Sequence, residues 1–147
     1  MKTSNFHLTE FRPLSSHSKT LSLLASVAVS AGEPREISTE LERIDLNELI
    51  TSGGDDIFIT RVNGDSMEAE IFHGDLLIVN RNLQARNGDK IIASVNGSYT
   101  VKIFSDNRKG LRLVASNGKY APREITKRDD FEIFGVVTHV LHSLKKT

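Results

Sequence analysis

No cysteine and no tryptophan occur among the 147 residues, and there is no excess of charge of either sign. Without cysteine there is no disulfide framework, no thiolate nucleophile and no thiolate-bound zinc or iron–sulfur centre. A cysteine-free composition is also in keeping with a cytoplasmic protein. Nineteen basic side chains balance nineteen acidic ones. Proteins that grip nucleic acid by neutralising phosphates normally carry a basic excess, so direct sequence-specific DNA binding is not expected. No apolar run approaches the roughly 20 residues that a membrane-spanning helix needs, so no membrane partner is expected. P-loop, GxGxxG and HExxH patterns are missing, and the carboxylates are scattered, so neither a metal nor another cofactor is expected.

What is present is enough for one domain and a tail: 38% of residues are apolar and 26% charged. Residues 1–31 carry Lys2, Arg12 and Lys19 against Glu10, and the polar stretch up to Thr20 shows no sustained period, so it reads as a flexible arm. Residues 21–31 (LSLLASVAVSA) imitate an export signal, with Val29 and Ala31 placed like a cleavage site. Glu10, Pro13 and the run of serines and threonines before it argue against export, but the stretch looks built to be cut. Gly32-Glu33-Pro34 then punctuates the chain.

From residue 32 onward the pattern is a mostly β domain with one short helix. Asp45-Leu46-Asn47-Glu48 is a capping-box pattern that predicts the helix. Alternating and β-branched runs predict strands over 57–62, 75–80, 90–95, 98–104, 111–115 and 131–141. Asn96-Gly97, between two such runs, is the strongest hairpin signal in the chain, because both turn positions require positive φ. Further turns are expected at 87–89, 107–110 and 117–118. Short strands at close spacing make a compact β fold.

Two residues stand out for chemistry. Ser66 lies in Gly64-Asp65-Ser66-Met67 after a predicted strand, where a serine can expose its hydroxyl beside free backbone N–H groups suited to an oxyanion. An isolated GDSM tetrapeptide is, taken alone, an ordinary surface turn. Lys102 lies in Tyr99-Thr100-Val101-Lys102-Ile103-Phe104, where alternation places Thr100, Lys102 and Phe104 on one face. It is either a lysine guarding an edge strand or a desolvated amine able to take a proton from a serine. The five histidines make no triad: two lie in the arm, His73 in a turn, and His139 and His142 three apart.

Several motifs, in order, resemble the S24 family of self-cleaving serine peptidases, the LexA/UmuD group. They are Val62-Asn63-Gly64-Asp65-Ser66-Met67, Phe72-His73-Gly74-Asp75-Leu76-Leu77-Ile78-Val79, Asn87-Gly88-Asp89, Tyr99-Thr100-Val101-Lys102 and Phe134-Gly135-Val136-Val137-Thr138-His139. Within the group, Arg43-Ile44-Asp45-Leu46-Asn47-Glu48-Leu49 is most similar to UmuD and its plasmid-borne relatives. The resemblance implies a LexA/UmuD-like peptidase fold, with Ser66 as nucleophile and Lys102 as general base. It also implies self-cleavage between Ala31 and Gly32, removing the arm 1–31 from the domain 32–147. For partners it implies a homodimer, the RecA–single-stranded-DNA filament as stimulus, and a UmuC-like Y-family translesion polymerase subunit, in the bacterial cytoplasm. The alternatives are a phage or SOS-type repressor fragment of the same family, a signal-peptidase-like Ser–Lys protease, and a catalytically silent interaction module.

Overall fold

All six predicted strand runs are strands, with ends that differ by up to three residues. The computed structural model describes residues 12–13, 22–24, 43–51 and 56–145, with side chains at 48–51 and 56–145. In chain order the elements are β1 (Arg12–Pro13), β2 (Ser22–Leu24), β3 (Arg43–Asp45), α1 (Leu46–Thr51), β4 (Ile57–Arg61), β5 (Leu76–Asn80), β6 (Lys90–Val95), β7 (Ser98–Asn107), β8 (Gly110–Val114), β9 (Arg123–Glu124) and β10 (Phe131–Leu141).

The chain divides into two compact units, one of Ser15–Ser52 and the other of Met1–Leu14 with Gly53–Thr147. In the first unit β2 pairs antiparallel with β3, Leu23 opposite Ile44. Helix α1 follows at once, with Glu48 in its first turn as the capping pattern requires. The arm therefore contains strands where no period is legible, because β1 and β2 are two and three residues long, too short to leave one. The expected boundary at 31/32 lies outside the described residues.

In the second unit eight strands form one sheet in the order β1-β4-β5-β10-β6-β7-β8-β9, with every neighbouring pair antiparallel. Alternation along β6 sends Ile92 into one apolar cluster, with Val62, Met67, Ile71, Leu77, Val79 and Val101. Its neighbours Ile91 and Ala93 join a second cluster with Leu113 and Val136.

Strand β10 is last among the described strands yet lies in the middle, between β5 and β6. Its register against β6 slips by one residue between Ile133 and Gly135. That extra residue shifts the side-chain parity, so Phe131, Ile133 and Val136 all reach the same cluster although their numbers do not alternate. Gly135 sits where a Cβ would lie 2.7 Å from Val79 Cγ1 and 3.0 Å from the Asn80 carbonyl oxygen, so the close approach of β5 requires glycine there. The β6–β7 hairpin turns through Asn96 (φ 51°) and Gly97 (φ 85°), both in the left-handed region, and Val95 faces Ser98 directly.

Candidate active site

The loop between β4 and β5 carries Ser66. It is closed at its base by two backbone bonds, Val62 N–H to the Asp75 carbonyl and Gly74 N–H to the Val62 carbonyl, both 2.8 Å. Inside it the Gly64 N–H donates to His73 Nδ1 at 3.2 Å. Glu68 N–H bonds the Asp65 carbonyl and Ile71 N–H bonds the Met67 carbonyl, giving a single helical turn that starts beside Ser66. Met67 and Ile71 are wholly buried in the first apolar cluster and fasten this turn to the sheet. Ala69 takes a positive φ of 94°, a conformation that L side chains rarely adopt.

Lys102 reaches the same point from β7, a strand flanked by β6 and β8. Its Nζ lies 2.6 Å from Ser66 Oγ, 3.2 Å from Thr100 Oγ1 and 3.2 Å from the Val101 carbonyl oxygen. Only 8% of Lys102 and 1% of Ser66 is exposed. The edge-guard alternative for Lys102 therefore falls, because the strand is internal and the side chain buried. The serine hydroxyl is not displayed to solvent, as a surface elbow would display it, but held under cover against the amine. Burial disfavours the ammonium and lowers the Lys102 pKa from 10.5 to about 8. A neutral amine at 2.6 Å accepts the Ser66 hydroxyl proton; a charged one donates to the oxygen instead.

Three neighbours escape sequence reasoning. Asn117 donates its backbone N–H to the Ser66 carbonyl and its Nδ2 to the Asp65 carbonyl, both at 3.0 Å. The Tyr120 hydroxyl donates to Asp65 Oδ1, and that bond raises the tyrosine pKa. Ser116 Oγ donates to Glu70 Oε2 at 2.5 Å, and Lys90 Nζ lies 3.0 Å from Glu70 Oε1. Bonding to Ser116 first, then to Lys90, holds the Glu70 carboxyl below its ordinary range. The one local signal for this segment is Asn117-Gly118, which announces a turn and says nothing of what the turn grips.

Among the described histidines, His73 lies in the Ser66 loop, where it accepts the Gly64 N–H. His142 Nδ1 meets the buried Asp75 carboxylate at 2.5 Å, and His139 bonds its neighbour Thr138. Among the described residues, no group of His, Asp and Glu is placed to hold a metal ion. No helix among them is long and apolar enough to cross a membrane. Ala31 and Gly32, the expected cleavage junction, lie outside the described residues.

Comparison with known families decides the class: the model described as "Peptidase S24-like" matches residues 23–138. The chain belongs to the S24-like peptidase family. The S24-like chain is 33% identical over 138 residues to the LexA repressor of Syntrophobacter fumaroxidans, covering 93% of this chain and 65% of that protein. It is 32% identical over 114 residues to the LexA repressor of Xylella fastidiosa, covering 77% and 54%. A third similarity, to the LexA repressor of Sorangium cellulosum, is 35% over 108 residues, covering 71% and 46%. The S24-like chain thus spans from under half to just under two thirds of the length of these relatives. The family and the β architecture expected from the motifs both hold. The finer likeness to UmuD does not emerge from these relatives, which carry repressor names.

Proposed function

We propose that the chain is a self-cleaving serine endopeptidase in which Ser66 is the nucleophile, Lys102 the general base, and Ala31–Gly32 the bond cut. The observation that carries this reading is the 2.6 Å contact between a buried serine hydroxyl and a buried amine of lowered pKa. The neutral Lys102 amine takes the Ser66 proton as Oγ attacks the Ala31 carbonyl carbon. Backbone N–H groups at Ser66 and Met67 receive the oxyanion that forms. Lys102 then returns the proton to the departing Gly32 nitrogen, leaving Ala31 esterified to Ser66. Water hydrolyses that ester with Lys102 again as base, releasing residues 1–31 from 32–147. The small, apolar character of residues 21–31 suits a segment bound in extended form by a peptidase cleft.

For the biological setting, the relatives named LexA repressor support an SOS-type repressor whose self-cleavage is stimulated by the RecA–single-stranded-DNA filament. In that setting the homodimer binds operator DNA through parts outside the peptidase module, and the balanced charge of this chain does not count against it. A second reading is favoured by Arg43-Ile44-Asp45-Leu46-Asn47-Glu48-Leu49, which forms β3 and most of α1. In it the trimmed dimer serves a UmuC-like Y-family polymerase during translesion synthesis.

The test is incubation of the purified chain with and without activated RecA filament, followed by intact-mass measurement. Two fragments meeting at Ala31/Gly32 are expected with filament, and none from Ser66→Ala. An intact chain, or a cut elsewhere, overturns the proposal. Operator binding by uncleaved Ser66→Ala protein supports the repressor setting, and bypass by a polymerase given residues 32–147 supports the second.

A further inference from the structure

The carbonyls of Asp65 and Ser66 are successive in the chain, and both are gripped by one residue about 50 positions away. Asn117 bonds the Ser66 carbonyl with its backbone N–H and the Asp65 carbonyl with its side-chain amide. Its own side chain is fixed in turn, because Oδ1 accepts the Lys119 N–H at 3.1 Å while its carbonyl accepts the Tyr120 N–H. The segment is pinned on either side of Asn117 by Ser116 on Glu70 and by Tyr120 on Asp65.

The peptide unit is planar, and no cis bond is present among the described residues. A carbonyl held in one direction therefore aims the N–H of the same unit in the opposite direction. Fixing the Asp65 carbonyl aims the Ser66 N–H, and fixing the Ser66 carbonyl aims the Met67 N–H. These two donors flank the nucleophile. Among the described residues neither donates to a protein acceptor, which leaves both for a developing oxyanion. We propose that Asn117 is a positioning residue for self-cleavage: by holding two consecutive carbonyls on the far side of the Ser66 turn, it aims the Ser66 and Met67 N–H groups at the oxyanion. In this role Asn117 acts through the orientation of the backbone alone. The proposal rests on the reading of Ser66 and Lys102 as nucleophile and base.

The experiment follows unassisted self-cleavage of the full chain by intact mass from neutral to alkaline pH. Asn117→Asp keeps the size of the side chain and the acceptor for Lys119, but sets a carboxylate against the Asp65 carbonyl. Asn117→Ser has a hydroxyl too short to reach that carbonyl, and keeps the question decidable should the carboxylate unfold the loop. Both variants are expected to lose at least about tenfold in plateau rate, up to the roughly 10²–10³ that losing one oxyanion donor costs. The pH midpoint, set by Lys102, stays near 8. The control is Asn87→Ala, which removes two comparable bonds to the Asp106 backbone on another hairpin. It is expected to melt earlier and to cleave at the wild-type rate.

Cleavage by both Asn117 variants within about threefold of wild type overturns the proposal. So does a shifted midpoint in place of a lowered plateau, or an equal slowing in Asn87→Ala. Ser66→Ala and Lys102→Ala run beside them: if these still cleave, the nucleophile and base are misassigned and the role of Asn117 falls with them. If they are silent while the Asn117 variants match wild type, only the positioning role fails.

Discussion

At the tip of the β6–β7 hairpin, positive φ falls on Asn96 and Gly97, two residues that tolerate it. In the turn that carries Ser66, positive φ falls on Ala69 as well as on Gly64. Both turns are tied to a distant segment through an asparagine. Asn96 exchanges backbone and side-chain bonds with Asp129 and Asp130, and Asn117 clasps Asp65 and Ser66. They differ in what dictates their shape. The hairpin tip has the conformation its own residues prefer, whereas the Ser66 turn is held against local preference by contacts from β7 and from residues 116–120. The strained turn is the one beside the buried amine, and function concentrates where local preference has been overruled.

The sharpest way to separate the two regions is to remove the proposed nucleophile. Ser66→Ala is expected to abolish self-cleavage, a loss on the order of 10⁶ for a unit that acts together, while circular dichroism shows the fold retained. If the variant still cuts, the Ser66 turn is a strained loop with no chemistry.

Lys102→Met comes next, and it should reverse the usual sign of a mutation. The folded pKa of Lys102, about 8, lies below its ordinary 10.5. Between those values the unfolded chain binds more protons than the folded one, so stability rises with pH across the window. Below about 8 the buried amine costs the fold up to about 3 kcal/mol. Lys102→Met removes that cost and the slope, so urea melts at neutral pH should show a more stable protein with no cleavage. Lys102→Arg is also expected to be inactive, since guanidinium keeps its proton. For the wild type, the single-turnover rate should climb as pH rises to about 8 and level off above it. A flat profile removes Lys102 from the role of base.

At the hairpin tip, Gly97→Ala adds a Cβ into open space at φ 85°, so strain is its main effect. A loss of about 1 kcal/mol is expected, with the cleavage rate unchanged. The smallest effect is expected from Ala69→Gly. Relief of the positive φ offsets the added freedom of the unfolded chain, raising stability by up to about 1 kcal/mol. Cleavage should slow severalfold as the Ser66 turn loosens, as read by intact mass. A faster enzyme would show that the strain opposes catalysis.

The same contrast explains what was legible beforehand. Strand β6 was readable to the residue, because alternation and the Asn96-Gly97 turn agree with the sheet. Strand β10 was readable in extent but not in facing, because its one-residue slip at Ile133/Gly135 breaks the alternation from which faces are inferred. Ser66 and Lys102 were identifiable as a pair through the order of family motifs. The burial that tunes them was not, since nothing in GDSM or TVKIF shows that both side chains are buried. Asn117 was invisible as a partner because its bonds join segments far apart in the chain, and no local pattern records them.

The central place of β10 bears on how the protein is made. Ser66 belongs to the β4–β5 half of the sheet and Lys102 to the β6–β7–β8 half, and among the described strands β10 alone pairs with both. A ribosome that has released the chain only as far as β8 has exposed Ser66 and Lys102 without the strand that joins their two halves. Non-local pairing of this kind comes late in folding. The topology therefore sets an order on the nascent chain: on the proposed reading the segment to be cut emerges first, and the strand that joins the two halves of the sheet carrying Ser66 and Lys102 emerges last among the described strands.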